Sequence, residues 1–183
     1  DPASTPPSCS MRGAGGRIPE LTRVVVVQPN AYGADNRVTL EAIAALGPAA
    51  RGVAVVRPGV SDAELERLTA GGIRAIRFFG LPGGALSWDV MDALAARVHP
   101  FGWSAIVQLD GRTLPEHEAQ IARLPGRFTI DHTGKFLEPV SPDHPAFKSL
   151  LRLVDTGRCW VKLSAPYEPS KSGPPRYEDV GAL

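Results

Sequence analysis

The chain has 183 residues, 43% of them hydrophobic, and a formal net charge of +1 from 20 lysines and arginines against 19 aspartates and glutamates. This length can bury one core of ordinary size, so we expect a single folded domain. The balanced charge excludes the broad basic surface that nucleic acid requires. The longest purely aliphatic run, Val24 to Val27, is far shorter than the roughly 20 residues of a membrane span, so we expect neither nucleic acid nor membrane as a partner.

The first 22 residues differ in composition from the rest of the chain. They contain no strand-like run, and their glycine cluster, Gly13 to Gly16, precedes the first apolar run instead of following it as in a dinucleotide-binding loop. We therefore predict a flexible leader over residues 1–22 and one domain over residues 23–183. No secretory signal is recognisable in residues 1–10, and the two cysteines, Cys9 and Cys159, form no disulfide framework. These features predict a cytoplasmic protein with reduced thiols.

Short apolar runs rich in β-branched residues alternate with segments of helical spacing. The predicted strands cover residues 23–28, 52–56, 73–79, 103–109, 127–132 and 159–164, and the predicted helices cover residues 35–45, 61–70, 88–98, 114–124 and 144–154. Each connection is long enough for one right-handed β-α-β crossover, which predicts a parallel α/β fold. The near-continuous hydrophobicity of the strands predicts that they are buried on both faces.

Polar residues gather at the carboxyl ends of the predicted strands. They are Gln28 with Asn30, Arg77, Gln108 with Asp110, Asp131 with His132, and Lys162 with Ser164. In a barrel these ends share one mouth, whereas an open doubly wound sheet places its site at one switch point, commonly with a glycine-rich loop after the first strand. No such loop follows Gln28. The pattern favours a (β/α)8 TIM-type barrel, and because a complete barrel has eight strands, we expect an incomplete one holding about strands two to seven.

His132 is the candidate catalytic residue. It closes a predicted strand, where an imidazole can bind a divalent metal or position a hydrolytic water, although a packing role is an open alternative. Strand alternation should turn Asp131 to the opposite face, so His132 is favoured over it. Asp110, before Gly111, is interpreted as a turn former. The other three histidines are interpreted as structural, namely His99, His117 and His144.

Arg77 and Lys135 are the candidate carboxylate-binding residues. Burying a guanidinium inside an apolar strand costs free energy unless a carboxylate or a ligand pairs with it. Arg77 therefore either binds substrate or forms a structural ion pair. Lys135, near His132, is a second cationic donor or a solvated loop lysine. Ser164 lacks the glycine-flanked elbow of a serine nucleophile and is interpreted as a residue that lines the site.

Five stretches resemble, in the same order, the amidohydrolase-related hydrolases (amidohydrolase 2) that include 2-pyrone-4,6-dicarboxylate lactonase and similar sugar-lactone and muconolactone hydrolases. The stretches are VQPNAYGADN at residues 27–36, RGVAVV at 51–56, IRF at 76–78, IDHTGK at 130–135 and WVKLS at 160–164. The resemblance implies a barrel that opens a carboxylated lactone by water attack on the ester carbonyl. For the intact parent protein the resemblance leaves two alternatives. The protein holds one divalent metal ion, Zn²⁺ or Mn²⁺, or it holds no metal.

The resemblance also assigns roles to particular residues. His132 matches the catalytic histidine that follows the sixth strand of the family, and the same histidine is a possible metal ligand. Arg77 matches the substrate-binding arginine of the fourth strand. Asn30 stands where the family often has a substrate-contacting serine. Lys135 and Gln108 replace an arginine and a tyrosine of the lactonase itself, which weighs against the pyrone dicarboxylate as the substrate.

Two motifs of the family are missing from the 183 residues. One is the His-x-His of the first strand, and the other is the aspartate of the eighth strand that activates the attacking water. We therefore expect a fragment of a lactone hydrolase that is itself inactive. The alternative is a catalytically inactive barrel remnant or a small-anion binding protein, and the sequence leaves the oligomeric state open.

Overall fold

The computed structural model describes residues 22–181 and 183. The predicted leader over residues 1–22, with Cys9 and the glycine cluster, lies outside the described residues except for Thr22. The domain boundary at residue 23 therefore stays a prediction. The first described strand begins at Val24.

The described strands form one parallel sheet whose spatial order is the order of the sequence. They are β1 (Val24–Val27), β2 (Ala50–Ala54), β3 (Ile73–Phe79), β4 (Ser104–Gln108), β5 (Phe128–Ile130) and β6 (Cys159–Val161). A doubly wound sheet would reverse its strand order at a switch point, and no reversal occurs among these six strands. The sheet curls into half a barrel, which confirms the predicted incomplete TIM-type α/β fold.

One helix connects each pair of consecutive strands. The helices are α1 (Arg37–Leu46), α2 (Asp62–Ala70), α3 (Met91–Val98), α4 (Leu114–Ala122) and α5 (Pro145–Asp155). Each agrees with a predicted helix to within a few residues at its ends. No helix in the described part of the chain has the length and apolar character needed to cross a membrane.

The two faces of the sheet are buried to different extents. Registered neighbours on one face are Ile76, Ala105, Phe128 and Cys159, and on the other face Arg77, Ile106, Thr129 and Trp160. The first set packs in the core beneath the helices, where Phe128 is fully buried, whereas Trp160 on the second face is 61% exposed. Because Arg77 reaches from β3 past β2 to Gln28 beside β1, the second face is the concave one.

The prediction that the strands are buried on both faces is therefore wrong for the concave face. Six strands enclose only part of a barrel, so this face lacks a facing wall among the described residues. Its side chains range from buried, as at Val53 and Gln108, to half-buried along the middle strands, and they are most exposed at the edge strands, as Val25 at 60% illustrates.

Local sequence features fix how the first helix lies on the sheet. Asn36, just before α1, donates to Val55 O at 2.8 Å and accepts from Val55 N at 3.1 Å, which ties the start of α1 to the end of β2. Gly52 allows α1 to approach closely, because a Cβ there would lie 2.5 Å from the side chain of Ile43. The predicted helix start at Ser61 is confirmed, since its Oγ accepts from Glu64 N.

Candidate active site

The predicted site residues lie at one edge of the sheet, where the carboxyl ends of the parallel strands meet. Arg77 and Gln108 belong to β3 and β4, and Asn30, His132 and Ser164 follow β1, β5 and β6. Lys135 lies in the same loop as His132. Within this edge the structure forms direct contacts between Arg77 and Gln108 and between His132 and Ser164.

Arg77 is held on the concave face by the ends of two other strands. Its Nη1 donates to Gln28 O at 2.9 Å, its Nη2 donates to Gln108 Oε1, and its guanidinium lies 5.0 Å from the Phe79 ring centroid. Its buried Nε has no hydrogen-bond partner among the described residues. Burial lowers the pKa of Arg77, and the nearby Asp131 carboxylate opposes that shift. The guanidinium stays charged, and its Nε–H makes no hydrogen bond to a described residue.

The glutamines at this edge have supporting roles. Gln108 is 2% exposed and serves as an acceptor for Arg77. Gln28 is fully buried, donates to Gly33 O at 3.1 Å and to Asp35 O at 2.7 Å, and accepts from Thr39. The Gln28 side chain therefore shapes the loop after β1, and its backbone carbonyl orients Arg77.

His132 lies just beyond the strand that was predicted to end with it. Strand β5 ends at Ile130, and residues His132–Gly134 form a 3-10 turn. His132, Thr133 and Lys135 all have positive φ, at 51°, 53° and 45°. Non-glycine residues in this region cost of order 1–3 kcal/mol each and are concentrated at functional sites.

The His132 imidazole contacts a hydroxyl and a carboxylate. Its Nδ1 lies 2.9 Å from Ser164 Oγ, and its Nε2 lies 3.4 Å from Asp131 Oδ2. Burial lowers the pKa of His132, with the Asp131 charge opposing the shift, which favours the neutral imidazole. The prediction that Asp131 and His132 point to opposite faces is wrong, because the chain leaves the extended conformation at His132.

Asp131 contacts His132, although strand alternation predicted that it faces away from the site. Its side chain is 3% exposed, and Lys162 Nζ lies 3.0 Å from Oδ1 as an ion pair. This buried Oδ1 nevertheless has no aligned hydrogen bond in the described part of the chain. The sequence showed Asp131 and Lys162 as polar residues at the ends of strands. The contact between Asp131 and His132 depends on the local backbone turn, which the sequence did not show.

Lys135 and Asn30 both have partners within the described chain. The ammonium of Lys135 pairs with Glu168 and its side chain is 11% exposed, so Lys135 is not a solvated loop lysine. Glu168 lies in the proline-rich segment after β6, and no sequence signal indicated this pair. Asn30 donates to Gly83 O at 2.5 Å and thereby links the loop after β1 to the loop after β3.

A pocket opens beside His132 and Ser164. Its volume is about 40 Å³, and Phe136 and residues of the segment after β6, including Val180, complete its largely apolar wall. This is a small cleft compared with whole small-ligand sites, which measure roughly 300–1,000 Å³. The pocket therefore places His132, Thr133 and Ser164 against an apolar surface.

The described residues do not fit a metal site by themselves. No group of three or more His, Cys, Asp or Glu side chains that could hold an ion occurs in residues 22–181 and 183. Both His132 nitrogens already contact Ser164 and Asp131. A Zn²⁺ or Mn²⁺ ion in the intact parent protein therefore stays a prediction.

The residues interpreted as structural have structural contacts. Asp110 caps the 3-10 turn Gly111–Thr113 by accepting from Arg112 N. His144 accepts from Ala146 N at the start of α5, and His117 stacks on Trp88 with ring centroids 3.8 Å apart. These contacts lie outside the His132 pocket.

Comparison with known proteins gives a consistent family. The amidohydrolase family model matches residues 3–182. D-galactarolactone isomerase of Agrobacterium fabrum is 36% identical over 89% of this chain and 56% of its own length. A 2-pyrone-4,6-dicarboxylate hydrolase of Comamonas testosteroni is 33% identical over 84% of this chain and 52% of its own. A 4-sulfomuconolactone hydrolase of Hydrogenophaga intermedia is 26% identical over 89% of this chain and 54% of its own length.

Solved structures give the same picture. A ligand-free crystal structure from Agrobacterium tumefaciens superimposes with a TM-score of 0.82 at 36% identity, covering 88% of this chain and 56% of that one. A 2-pyrone-4,6-dicarboxylic acid hydrolase structure from Pseudomonas putida superimposes with a TM-score of 0.70 at 26% identity, covering 85% of this chain and 57% of that one. The chain spans about half the length of the curated relatives that it matches.

Proposed function

The chain belongs to the amidohydrolase family, and from this premise we propose that the complete protein processes a small carboxylated lactone at the carboxyl ends of these strands. Three relatives named above carry lactones or a pyrone dicarboxylate in their names. The observation that carries the proposal is Arg77, a half-buried cation on the concave face whose Nη atoms donate to two neutral groups, Gln28 O and Gln108 Oε1. A half-buried guanidinium that is hydrogen-bonded to neutral groups is suited to bind a carboxylate.

We assign two tasks to the described residues. Arg77, oriented by Gln28 and Gln108, binds the carboxylate and so fixes the lactone relative to the pocket. His132 orients the oxygen nucleophile that adds to the ester carbonyl, and the eighth-strand aspartate that the resemblance implies for the complete protein takes its proton. The ring C–O bond then breaks, and the proton passes to the released oxygen. Ser164, Lys135 and Asn30 line or support this edge.

The nucleophile distinguishes two candidate reactions. In hydrolysis it is water, as in the pyrone dicarboxylate and sulfomuconolactone hydrolases; in isomerisation it is a hydroxyl of the same sugar lactone. The 36% identity to D-galactarolactone isomerase favours including the second reaction. Turnover in H₂¹⁸O separates them, because hydrolysis places ¹⁸O in the product carboxylate and isomerisation leaves the product unlabelled.

Calorimetric titration with carboxylated lactones tests the binding part of the proposal. Replacing Arg77 by Met should weaken binding about 10- to 100-fold, because a charge-assisted hydrogen bond contributes roughly 1.5–3 kcal/mol. Arg74→Met is the matched control, since Arg74 is exposed on the same strand and donates to Thr69 O and Ile73 O. Equal affinities of the two variants would contradict the proposal, and binding without turnover by a full-length protein would indicate a binding protein.

A further inference from the structure

The segment after β6, residues 165–181, forms part of the wall of the His132 pocket, and we call it the strap. Pro166 and Pro169 line the pocket from the start of the strap, and Val180 lines it from the far part. Residues so far apart in the chain can meet at one pocket only if the loop between them folds back on itself. The wall of the pocket therefore depends on the contacts that close this loop.

Asp179 closes the loop with four hydrogen bonds. Its Oδ1 accepts from Ser170 Oγ at 2.6 Å and from Ser172 Oγ at 2.7 Å, and its Oδ2 accepts from Lys171 N at 2.6 Å and from Ser172 N at 3.1 Å. The hydrogen bond from Ser170, followed by those from Ser172 and the backbone, holds the pKa of Asp179 well below its usual range. A carboxylate can only accept, which suits a ring of four donors. We call Asp179 and these three partners the clasp.

The clasp adjoins the pocket on both of its sides. Ser170 directly follows Pro169, and Asp179 directly precedes Val180, and both of these neighbours line the pocket. The backbone continues this fold, because Val180 N donates to Tyr177 O at 3.1 Å. Closing the clasp therefore brings Pro169 and Val180 to the same pocket.

The size of the pocket limits what can enter it. Its volume is about 40 Å³, and it holds about three water-sized groups, since one such group needs roughly 10–15 Å³. Phe136, Pro169 and Val180 give it an apolar surface beside His132 and Ser164. A hydrophobic pocket discriminates between alkyl groups that differ by one methylene by roughly 10- to 200-fold. The side chain at position 180 is therefore placed to select the size of the group that enters.

We infer that Val180 is a specificity-determining residue and that Asp179 is a positioning residue that holds it, so that the pocket accepts only a small apolar substituent of a carboxylated lactone, or an unsubstituted ring edge. The inference rests on the proposed function in taking the His132 pocket as part of the lactone site. It narrows the substrate class to carboxylated lactones whose group at this pocket has at most about three non-hydrogen atoms.

Hydrogen–deuterium exchange of the 183-residue chain tests the clasp without any ligand. In Asp179→Ala the backbone amides of Lys171 and Ser172 lose their acceptor, so we expect the strap peptides to exchange about 10-fold faster. Glu178→Gln is the matched control, because Glu178 is the exposed neighbour of Asp179 and contacts Arg176. Equal exchange in the two variants would overturn the role of Asp179.

Calorimetric titration with a series of γ-lactone carboxylates tests the specificity. The compounds carry hydrogen, a methyl group or an isopropyl group at each free ring carbon in turn. Val180→Ala should raise the affinity for the isopropyl compound relative to the methyl compound about 10-fold, because it removes two methyl groups from the wall. Val154→Ala is the matched control, since Val154 is an exposed valine of α5 outside the pocket. An unchanged ratio in Val180→Ala would overturn the inference.

A double variant tests whether Asp179 acts through Val180. Asp179→Ala alone should weaken the discrimination between the methyl and isopropyl compounds, and it should have no further effect on this ratio when combined with Val180→Ala. A purely stabilising role would leave the ratio unaltered, and that outcome would overturn the positioning role of Asp179. The proposed function fails by a different result, equal lactone binding by the Arg77 and Arg74 variants or no lactone binding at all. That result would refute the selectivity as well, whereas the exchange measurement judges the clasp alone.

Discussion

Burial moves the pKa of His132 below the 6.5 of an ordinary imidazole, and this has a consequence for stability. Below pH 6.5 the unfolded chain binds a proton at this histidine that the folded chain resists, so the free energy of unfolding falls as the pH is lowered through this range. Urea unfolding between pH 8 and pH 5 measures the effect. His132→Gln should lose this part of the pH dependence; parallel curves for the two proteins would contradict the assignment.

Cys159 at the start of β6 shows the opposite shift. Burial raises the pKa of its thiol from 9.0 to about 11, which lowers the thiolate fraction at pH 8 about 100-fold. We therefore expect iodoacetamide to modify Cys159 far more slowly in the native chain than in urea, as measured by mass spectrometry of the Cys159 peptide. Comparable rates in the two conditions would show that the thiol is accessible and ionised, contrary to its packing.

The junction between β2 and α1 depends on a single amide. Asn36→Ala should destabilise the chain by about 2–4 kcal/mol, because the buried N–H and C=O of Val55 both lose their partner. Thermal or urea unfolding measures the loss. Asn30→Ala is the control, since Asn30 makes one exposed hydrogen bond to Gly83 O and should cost less than about 1 kcal/mol. Equal losses would show that the cross-link is unimportant.

The elements themselves were largely predictable, and their ends were not. Apolar periodicity located every described strand and helix, and Ser61 marked the start of α2 because a hydroxyl there meets an unpaired backbone N–H. The strand predicted to reach His132 ends at Ile130, since the backbone turns to positive φ at His132. Hydrophobic pattern carries no information about such a turn when the residues that adopt it are not glycine.

The concave face, which has no facing wall in the part of the chain that the structure describes, predicts how the chain behaves in solution. Val25 and Trp160 lie on the edge strands with about 60% of each exposed, and exposed apolar edges favour association. We expect self-association that increases with concentration, measured by light scattering after size-exclusion chromatography. Val25→Lys with Trp160→Lys should reduce it, whereas Leu151→Lys on α5 should not. A monomer at all concentrations would contradict this expectation.

The sequence by itself determined the parallel α/β architecture, the family, and the edge of the sheet where the polar residues collect. It could do so because periodicity is local and because parallel strands bring all their carboxyl ends to one edge. The tertiary structure alone decided the partners within that edge: Lys135 with Glu168, Lys162 with Asp131, and Asp131 with His132. The first two pairs join residues from distant segments, and the third depends on a backbone turn, so residue types and spacing could not specify them.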